Sequence, residues 1–263
     1  MKDEPQRLDA LLVERGLVES RSRAQGLILS GSVRVGDTVV TKAGFRVAPN
    51  EPLTVERGDG FVSRAGEKLD GSLEEFGIRV EGSACLDAGA STGGFTDVLL
   101  RRGARKVLAV DVGYGQLVWS LRNDERVVVM ERTNVRHLTG DDLTFAPNLL
   151  VADLSFISLT VALERLFSTT PSLREAVLLV KPQFEAGPEL VSRGGLVRDR
   201  RVHAAVIRRV AAFFESLGFG GVGVARAQVA GRRAGNREYP LHLARGARTV
   251  LDDARVGEVV GRG

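Results

Sequence analysis

Apolar residues in the first part of the chain follow helical spacing and then strand alternation. Residues 8–12 carry leucines at helical spacing, and Gly16 predicts the end of that helix. Ser20 predicts the N-cap of a second helix, and Gly31 predicts its end. Valines in residues 33–40 flank a Gly-Asp pair, which predicts two strands joined by a turn. The pattern indicates a small α/β unit.

From residue 83 onwards, apolar runs of strand length alternate with helical patterns. The runs that predict strands are 84–88, 107–110, 127–130, 149–152, 176–180, 222–225 and 239–243. The helical patterns between them include 95–102, 159–167 and 202–217. Strands that alternate with helices predict an α/β fold with a mostly parallel, doubly wound sheet. Such sheets bind ligands beyond the carboxyl ends of their strands.

Residues 57–66 contain three glycines, which predicts a linker between the first α/β unit and the alternating strands and helices that follow. A helix is expected from about residue 65 to residue 76, with Leu69 and Leu73 on one face. We therefore predict a first domain at 1–60, a linker at 61–66 and a second domain at 67–263.

Composition narrows the class of protein. Of the 263 residues, 43% are hydrophobic and 27% are charged, which excludes a wholly disordered chain. The longest purely aliphatic run, Ala176–Val180, is far too short for a transmembrane helix. The first residues lack the apolar core of a signal peptide, and Cys85 is the single cysteine. These features predict a cytoplasmic protein without internal disulfides.

Basic residues are unevenly distributed in number and in kind. Residues 201–263 carry 11 Arg, no Lys and 5 acidic residues, a net charge of +6. This charge is a mild signal for nucleic acid, although a solvated basic surface explains it equally well. The whole chain has 32 Arg and only 5 Lys. Lysine can lose its proton in a suitable site whereas arginine effectively cannot, so the retained lysines are candidates for chemistry.

A glycine-rich turn after the first predicted strand of the second domain indicates a ligand site. The turn, residues 87–95, lacks the G-x-G-x-x-G fingerprint of dinucleotide sites and the Gly-Lys-Ser/Thr of a P-loop. An acid, Asp87, comes just before the first glycine, Gly89, which suits a positively charged ligand. Asp111 ends the second strand and can accept hydrogen bonds from both hydroxyls of a ribose. A cationic ligand with a ribose indicates S-adenosylmethionine, while each glycine alone also fits a plain turn.

The supporting positions follow from this hypothesis. Tyr114 is expected to pack on the adenine, and Asn134 is expected to lie near it. Phe156 is expected to form one wall of the channel through which the methyl group is transferred. For each of these residues, simple packing within the fold is an equally good explanation. Trp119 is expected in the core. The predicted cofactor residues are Asp87, Gly89, Ala90, Ser91, Thr92, Gly93, Phe95, Asp111, Tyr114, Asn134 and Asp153.

Four stretches of the second domain together resemble the TlyA family, ribosomal-RNA cytidine 2′-O-methyltransferases related to FtsJ. They are residues 86–96, 111–117, 153–159 and 180–185. The first domain resembles the alpha-L RNA-binding motif. The resemblance implies a small alpha-L RNA-binding domain followed by a Rossmann-like class I methyltransferase domain that uses S-adenosylmethionine. It also implies RNA contacts at five arginines, which could instead be solvated charges: Arg7, Arg21, Arg23, Arg34 and Arg64.

The resemblance implies a catalytic tetrad at Lys68, Asp153, Lys181 and Glu238. A ribose 2′-hydroxyl is a poor nucleophile until its proton is removed, so Lys181 is the candidate that orients and deprotonates it. Lys181 must be neutral to act as a base, and the two carboxylates favour its charged form. A second hypothesis is that the charged lysines only position the hydroxyl. A third is that Asp153 and Lys181 form a structural ion pair.

The expected partner is ribosomal RNA within ribosomal subunits, and the protein is expected to act as a monomer. The resemblance implies 16S rRNA, 23S rRNA or both, and the residues at the two ends of the chain favour both. The three histidines are scattered without metal-ligand spacing, so no metal site is predicted.

Three other functions remain open at this stage. They are a non-catalytic RNA-binding protein, a pore-forming haemolysin, whose name the family also carries, and a pseudouridine synthase, which can share the alpha-L domain. The tetrad argues against the first, and the absence of a long apolar segment argues against the second. The glycine-rich turn would have no purpose in the third.

Overall fold

The computed structural model describes residues 4–18, 20–29, 31–55, 60–227 and 236–261, without the side chains of residues 22 and 26. The chain divides into two compact units, Met1–Gly60 and Phe61–Gly263. Each unit is described by itself.

The first unit pairs two helices with short strands. Its elements are β1 (Gln6–Arg7), α1 (Leu8–Glu14), α2 (Arg21–Leu29), β2 (Val33–Val35), β3 (Thr38–Val39), β4 (Arg46–Val47) and β5 (Leu53–Val55). The Oγ atom of Ser20 accepts the backbone N–H of Arg23 at 3.2 Å, which confirms the predicted N-cap. Gly31, with φ at +76°, follows α2 as predicted. Leu8, Leu12 and Ile28 are fully buried between the helices and the strands.

The second unit is built on one large sheet. Its helices are α3 (Arg64–Glu75), α4 (Gly94–Arg101), α5 (Trp119–Arg122), α6 (Leu159–Thr169), α7 (Pro182–Glu185), α8 (Arg200–Ser216) and α9 (Asp253–Gly261). Its strands are β6 (Ala84–Ala88), β7 (Lys106–Val110), β8 (Val127–Met130), β9 (Leu149–Ala152), β10 (Glu175–Val180), β11 (Phe219–Val224) and β12 (Tyr239–Arg245). Short 3₁₀ turns occupy Val135–His137, Gly140–Asp142 and Pro188–Leu190.

The sheet confirms the predicted α/β class and adds one reversed strand. In the described part of the chain, seven strands lie in the order β11-β12-β10-β9-β6-β7-β8. The pairs from β10 to β8 are parallel, and β12 is antiparallel to both of its neighbours. The central strands are covered on both faces, which explains their nearly continuous apolar sequences. Leu86 packs in one core with α6 and α8, while Cys85 packs in the other with α3 and α4.

Two expectations about this unit need correction. The predicted linker, residues 61–66, belongs to the second unit: Phe61 packs on its core, and the N–H of Val62 donates to Asp97 Oδ2 at 2.9 Å. The helix that follows begins at Arg64. Trp119 is 62% exposed at the start of α5 and is not a core residue, because Leu121 is the residue that α5 buries.

Strand β11 begins three residues earlier than the sequence predicts. Its first half, Phe219–Gly221, carries two glycines, which have low strand propensity and hide the signal. Among the described residues, no helix combines the length and hydropathy needed to cross a membrane.

Candidate active site

The predicted catalytic residues meet in a cavity of about 450 Å³ beyond the carboxyl ends of the central strands. Asp153 follows β9 and Lys181 follows β10, two strands that are adjacent in the sheet. Lys68 reaches the cavity from α3, and Glu238 immediately precedes β12. Five predicted cofactor residues of the turn after β6 also line it: Gly89, Ala90, Ser91, Thr92 and Phe95.

Lys181 is held by two neighbours on the cavity wall. Its Nζ atom forms an ion pair with Asp153 Oδ1 at 2.5 Å. The same atom donates a hydrogen bond to Ser155 Oγ at 3.0 Å. The Lys181 side chain is 9% exposed, so the pair is shielded from water on most sides. The amine therefore has a fixed position, with a carboxylate that stabilises its charged form.

Lys68 and Glu238 form a second pair in the same cavity. The Nζ atom of Lys68 lies 2.5 Å from Glu238 Oε2, and the two side chains are 9% and 7% exposed. A buried charge without a partner is strongly unfavourable, so each of these residues requires the other. The cavity thus contains two lysine–carboxylate pairs, and the charges within each pair cancel.

The turn after β6 packs closely against the end of β9. Gly89 has φ at +88°, and a Cβ atom there would lie 2.8 Å from the backbone oxygen of Asp153. Only glycine combines this backbone conformation with this approach. The close packing places the turn directly beside the Lys181–Asp153 pair.

Asp87 is a fully buried carboxyl group below this turn. Its Oδ2 atom accepts a hydrogen bond from Thr96 Oγ1 at 2.7 Å, while its Oδ1 atom has no partner among the described residues. Burial raises the pKa of Asp87 to about 7, and the charges of Asp153 and Asp111 act in the same direction. A cationic ligand nearby would favour the ionised form of Asp87.

Asp111 connects the turns after β6 and β7. Its Oδ2 atom accepts the N–H of Ser91 at 2.8 Å, and its Oδ1 atom accepts the N–H of Gly113 at 2.7 Å. Each carboxylate oxygen has a second lone pair, so Asp111 keeps capacity for ligand hydroxyls. Gly93 ends the turn as the left-handed N-cap of α4, with φ at +100°.

Asp87, Gly93 and Asp111 lie outside the cavity lining, and so do two further predicted cofactor residues, Tyr114 and Asn134. Tyr114 is 69% exposed, and the guanidinium of Arg132 lies 4.2 Å from the centre of its ring. Asn134 is exposed, and its side chain accepts the N–H of Arg136 at the start of a 3₁₀ turn. Their contacts with an adenine remain predictions.

Comparison with known proteins identifies the family of this chain. The model of the FtsJ-like methyltransferase family matches residues 61–245, and the S4 domain model matches residues 6–53. The chain is 49% identical over 250 residues to the 16S/23S rRNA (cytidine-2′-O)-methyltransferase TlyA of Mycobacterium tuberculosis, covering 94% of this chain and 91% of that protein. The chain belongs to the TlyA family of FtsJ-like methyltransferases.

Other members of the TlyA family carry a different name. The chain is 42% identical over 241 residues to Hemolysin A of Brachyspira hyodysenteriae, covering 90% of this chain and 99% of that protein. A solved structure from Streptococcus thermophilus, described as a candidate hemolysin, superposes with a TM-score of 0.71 at 37% identity. That match covers 98% of this chain and 95% of the other. The TlyA-family fold therefore spans both units.

The S4 unit of this TlyA-family chain uses two of its predicted RNA-binding arginines to hold its helices. Arg7 donates to both carboxylate oxygens of Asp9, and Arg21 lies 3.4 Å from Asp9 Oδ2. Asp9 is fully buried, and the hydrogen bonds from Arg7 hold the pKa of its carboxyl far below the ordinary value. Because Arg7 and Arg21 stay about half exposed, they keep surface for a second contact.

The remaining predicted RNA-binding arginines have other surroundings. Arg23 is exposed on α2, and Arg34 donates to the backbone oxygen of Asp37 at 2.9 Å. Arg64 is exposed at the start of α3 and lines the cavity. Nothing in these contacts tests RNA binding, which remains a prediction for all five arginines.

Several cavity residues were not singled out from the sequence. They are Ser63, Ala65, Gly94, Ser155, Gln183, Phe184, Gly195 and Asn236. Ser155, Gln183 and Phe184 stand inside the stretches that carry the resemblance, but spacing alone does not show which side chains face the cavity. Asn236 donates to the backbone oxygen of Gly195 at 2.8 Å, a contact between segments 41 residues apart.

The described residues include no group of three or more His, Cys, Asp or Glu side chains that could hold a metal ion. His203 lies between the Tyr239 hydroxyl and the backbone oxygen of Val197, each at 2.8 Å. His242 stacks on Phe76 and lies 3.3 Å from Glu175. These two histidines therefore have structural partners within the second unit.

Proposed function

We propose that this protein transfers a methyl group from S-adenosylmethionine to the ribose 2′-hydroxyl of a cytidine in ribosomal RNA. The observation that carries the proposal is the convergence of two buried lysine–carboxylate pairs beside the glycine-rich turn. The name of the Mycobacterium tuberculosis relative supports cytidine and ribosomal RNA as the substrate.

The residues after β6 and β7 fit S-adenosylmethionine. The buried Asp87, with its unpartnered oxygen, favours a positive charge nearby, as the sulfonium and the amino group would supply. The turn 89–92 would hold the methionine end, and Asp111 would accept the ribose hydroxyls. When bound, the cofactor would supply an electrophilic methyl group, and its sulfur would keep the electron pair of the broken carbon–sulfur bond as a neutral thioether.

Lys181 is the base in this proposal. Asp153 and Ser155 fix its nitrogen, so that the amine, once it has released its own proton to solvent, meets the 2′-hydroxyl in one orientation. The proton passes from the hydroxyl oxygen to Nζ as the new bond to carbon forms. Asp153 stabilises the ammonium that results, which makes the proton transfer more favourable.

Lys68 and Glu238 form the second ion pair of the proposed reaction site. Glu238 neutralises and orients Lys68, which holds its ammonium beside the reacting groups without adding net charge. Phe156 is 89% exposed beside the same cavity and lies 5.1 Å from the ring of Phe184. We assign this open aromatic face to stacking on the base of the target nucleotide.

The S4 unit is proposed to bind ribosomal RNA, within ribosomal subunits, in the cytoplasm. The protein is proposed to act as a monomer, since one chain supplies all four tetrad residues. The names of relatives include both 16S and 23S rRNA, and we propose that both are substrates of this protein.

The test is transfer of labelled methyl groups to 30S and 50S subunits that lack the modification, followed by mapping of 2′-O-methyl positions. The wild-type protein is expected to methylate cytidine, and Lys181→Arg is expected to be inactive. Lys106→Arg is the matched control, because Lys106 is exposed at the opposite end of the parallel strands. No methylation of either subunit by the wild-type protein would refute the proposal and favour a non-catalytic RNA-binding role.

A further inference from the structure

Gln183 has a feature that the reaction above does not use. Its Oε1 atom is buried and has no hydrogen-bond partner among the described residues, although the side chain lines the cavity. Buried acceptors without a partner are uncommon because each costs free energy, and a ligand that donates a hydrogen bond is one explanation.

The position of Gln183 in the sheet indicates which ligand would reach it. The predicted cofactor contacts, the turn 89–92 and Asp111, follow β6 and β7. Gln183 follows β10, and β9 with Asp153 stands between β10 and β6 in the sheet. Because Lys181 also follows β10, the ligand expected beside Gln183 is the nucleotide whose 2′-hydroxyl meets Lys181, and not the cofactor proposed to bind after β6 and β7.

The segment that carries Gln183 is rigid. Two residues further on, the buried carboxylate of Glu185 accepts hydrogen bonds from Ser158 Oγ at 2.6 Å and from the N–H of Leu159 at 2.7 Å. These bonds attach α7 to the start of α6. The neighbouring Phe184 packs against Phe156, so an amide stands next to an aromatic wall. An amide on an anchored segment beside an aromatic surface is a suitable arrangement for reading a base edge.

We infer that the side-chain amide of Gln183 reads the pairing edge of the target base and selects cytosine over uracil. The inference rests on the proposed function. The Oε1 atom of Gln183 accepts a hydrogen bond from the exocyclic amine of cytosine, and the Nε2 atom of Gln183 donates a hydrogen bond to the adjacent ring nitrogen. Uracil presents an acceptor in place of that amine and a donor in place of that ring nitrogen, so it would pair with the amide only if Nε2 took the buried position that Oε1 holds in the structure.

The test compares cytidine with uridine at the methylated position of ribosomal RNA, for the wild-type protein and for Gln183→Leu and Gln183→Glu. Wild type is expected to prefer cytidine, and one well-placed amide contact corresponds to a discrimination of about 10- to 100-fold in kcat/KM. Gln183→Leu is expected to lose that discrimination while its affinity for S-adenosylmethionine stays unchanged. Gln183→Glu keeps an acceptor for the exocyclic amine but replaces the Nε2 donor with a carboxylate oxygen that faces the ring nitrogen, so it is expected to weaken the preference for cytidine.

The ratio between the two substrates separates base reading from a structural role. A change in folding or in the Lys181 site would slow both substrates equally and leave the ratio unchanged, and that result would overturn the inference. Loss of cofactor affinity with an unchanged ratio would also overturn it and assign the amide to the cofactor. Wild-type methylation of cytidine, measured first, shows that the proposed function holds whatever the Gln183 variants do.

Discussion

Asp87 provides a direct test of how the cofactor site affects stability. The carboxyl is fully buried in the central strand β6, and one oxygen has no partner. Asp87→Asn keeps the shape and an acceptor for Thr96 Oγ1 but removes the charge. We expect the variant to be more stable than wild type at pH 8 in the absence of ligand.

The size of this effect follows from the pKa. Burial raises the pKa of Asp87 from an ordinary 3.8 to about 7 in the folded protein. The folded state then holds a proton that the unfolded state has released, so stability falls as pH rises from about 4 to about 7. Each pKa unit corresponds to about 1.4 kcal/mol, which gives a cost of up to about 4 kcal/mol above pH 7. Asp87→Asn removes this cost, which is about 4 kcal/mol above pH 7 and about 2 kcal/mol at pH 5, because pH 5 already lies about one unit above the ordinary pKa.

The assay is the free energy of unfolding in urea, followed by circular dichroism at pH 5 and pH 8, for wild type and Asp87→Asn. A difference between the two proteins that is the same at both pH values would refute the reasoning. Addition of S-adenosylmethionine at pH 8 is expected to stabilise wild type more than the variant. That result would link the stability cost of the buried carboxylate to the binding of a cationic ligand.

Four further predictions concern the reaction, the cofactor and the two units. Lys181→Arg is expected to lower the single-turnover rate by about 100-fold or more with RNA binding unchanged, and a rate within about threefold of wild type would show that Lys181 supplies only charge. Asp111→Ala is expected to weaken S-adenosylmethionine binding by about 1–3 kcal/mol in calorimetry, and unchanged affinity would remove Asp111 from the site. Deletion of residues 1–60 is expected to leave a folded unit that binds the cofactor but not ribosomal RNA; normal methylation by the truncated protein would contradict this division. Burial raises the pKa of Cys85 to about 12, so its thiol is expected to resist alkylation at pH 8 until urea unfolds the protein, and rapid labelling of native protein would contradict that packing.

Much of the fold was predictable because its signals are local. Buried parallel strands have short apolar runs, and β6, β8 and β9 begin and end as the sequence predicts. The glycines of β11 concealed half of that strand. Residues 61–66 have the composition of a linker, yet Phe61 and Val62 contact the second core, a tertiary contact that composition does not show.

The site residues that could be predicted are charged residues that directly follow a predicted strand. Lys181 and Asp153 follow neighbouring strands, and the family resemblance named both. The order of elements alone does not give such neighbours, since β8 and β9 are consecutive in the chain but lie apart in the sheet. The cavity position of Gln183 could not be predicted, because it depends on how α7 is attached to α6. The partnership of Arg7 with Asp9 was also hidden, since it requires a charge buried between two helices.

The reversed strand explains how Glu238 joins residues that follow parallel strands. In a parallel sheet only the carboxyl ends of the strands reach the ligand edge. Strand β12 runs the opposite way, and its first residue, Tyr239, pairs with the last residue of β10, Val180. The residue before β12 therefore lies at the same edge as Lys181, which comes directly after β10. This reversal brings the carboxylate that neutralises Lys68 to the ligand edge, so the second ion pair depends on the antiparallel direction of β12.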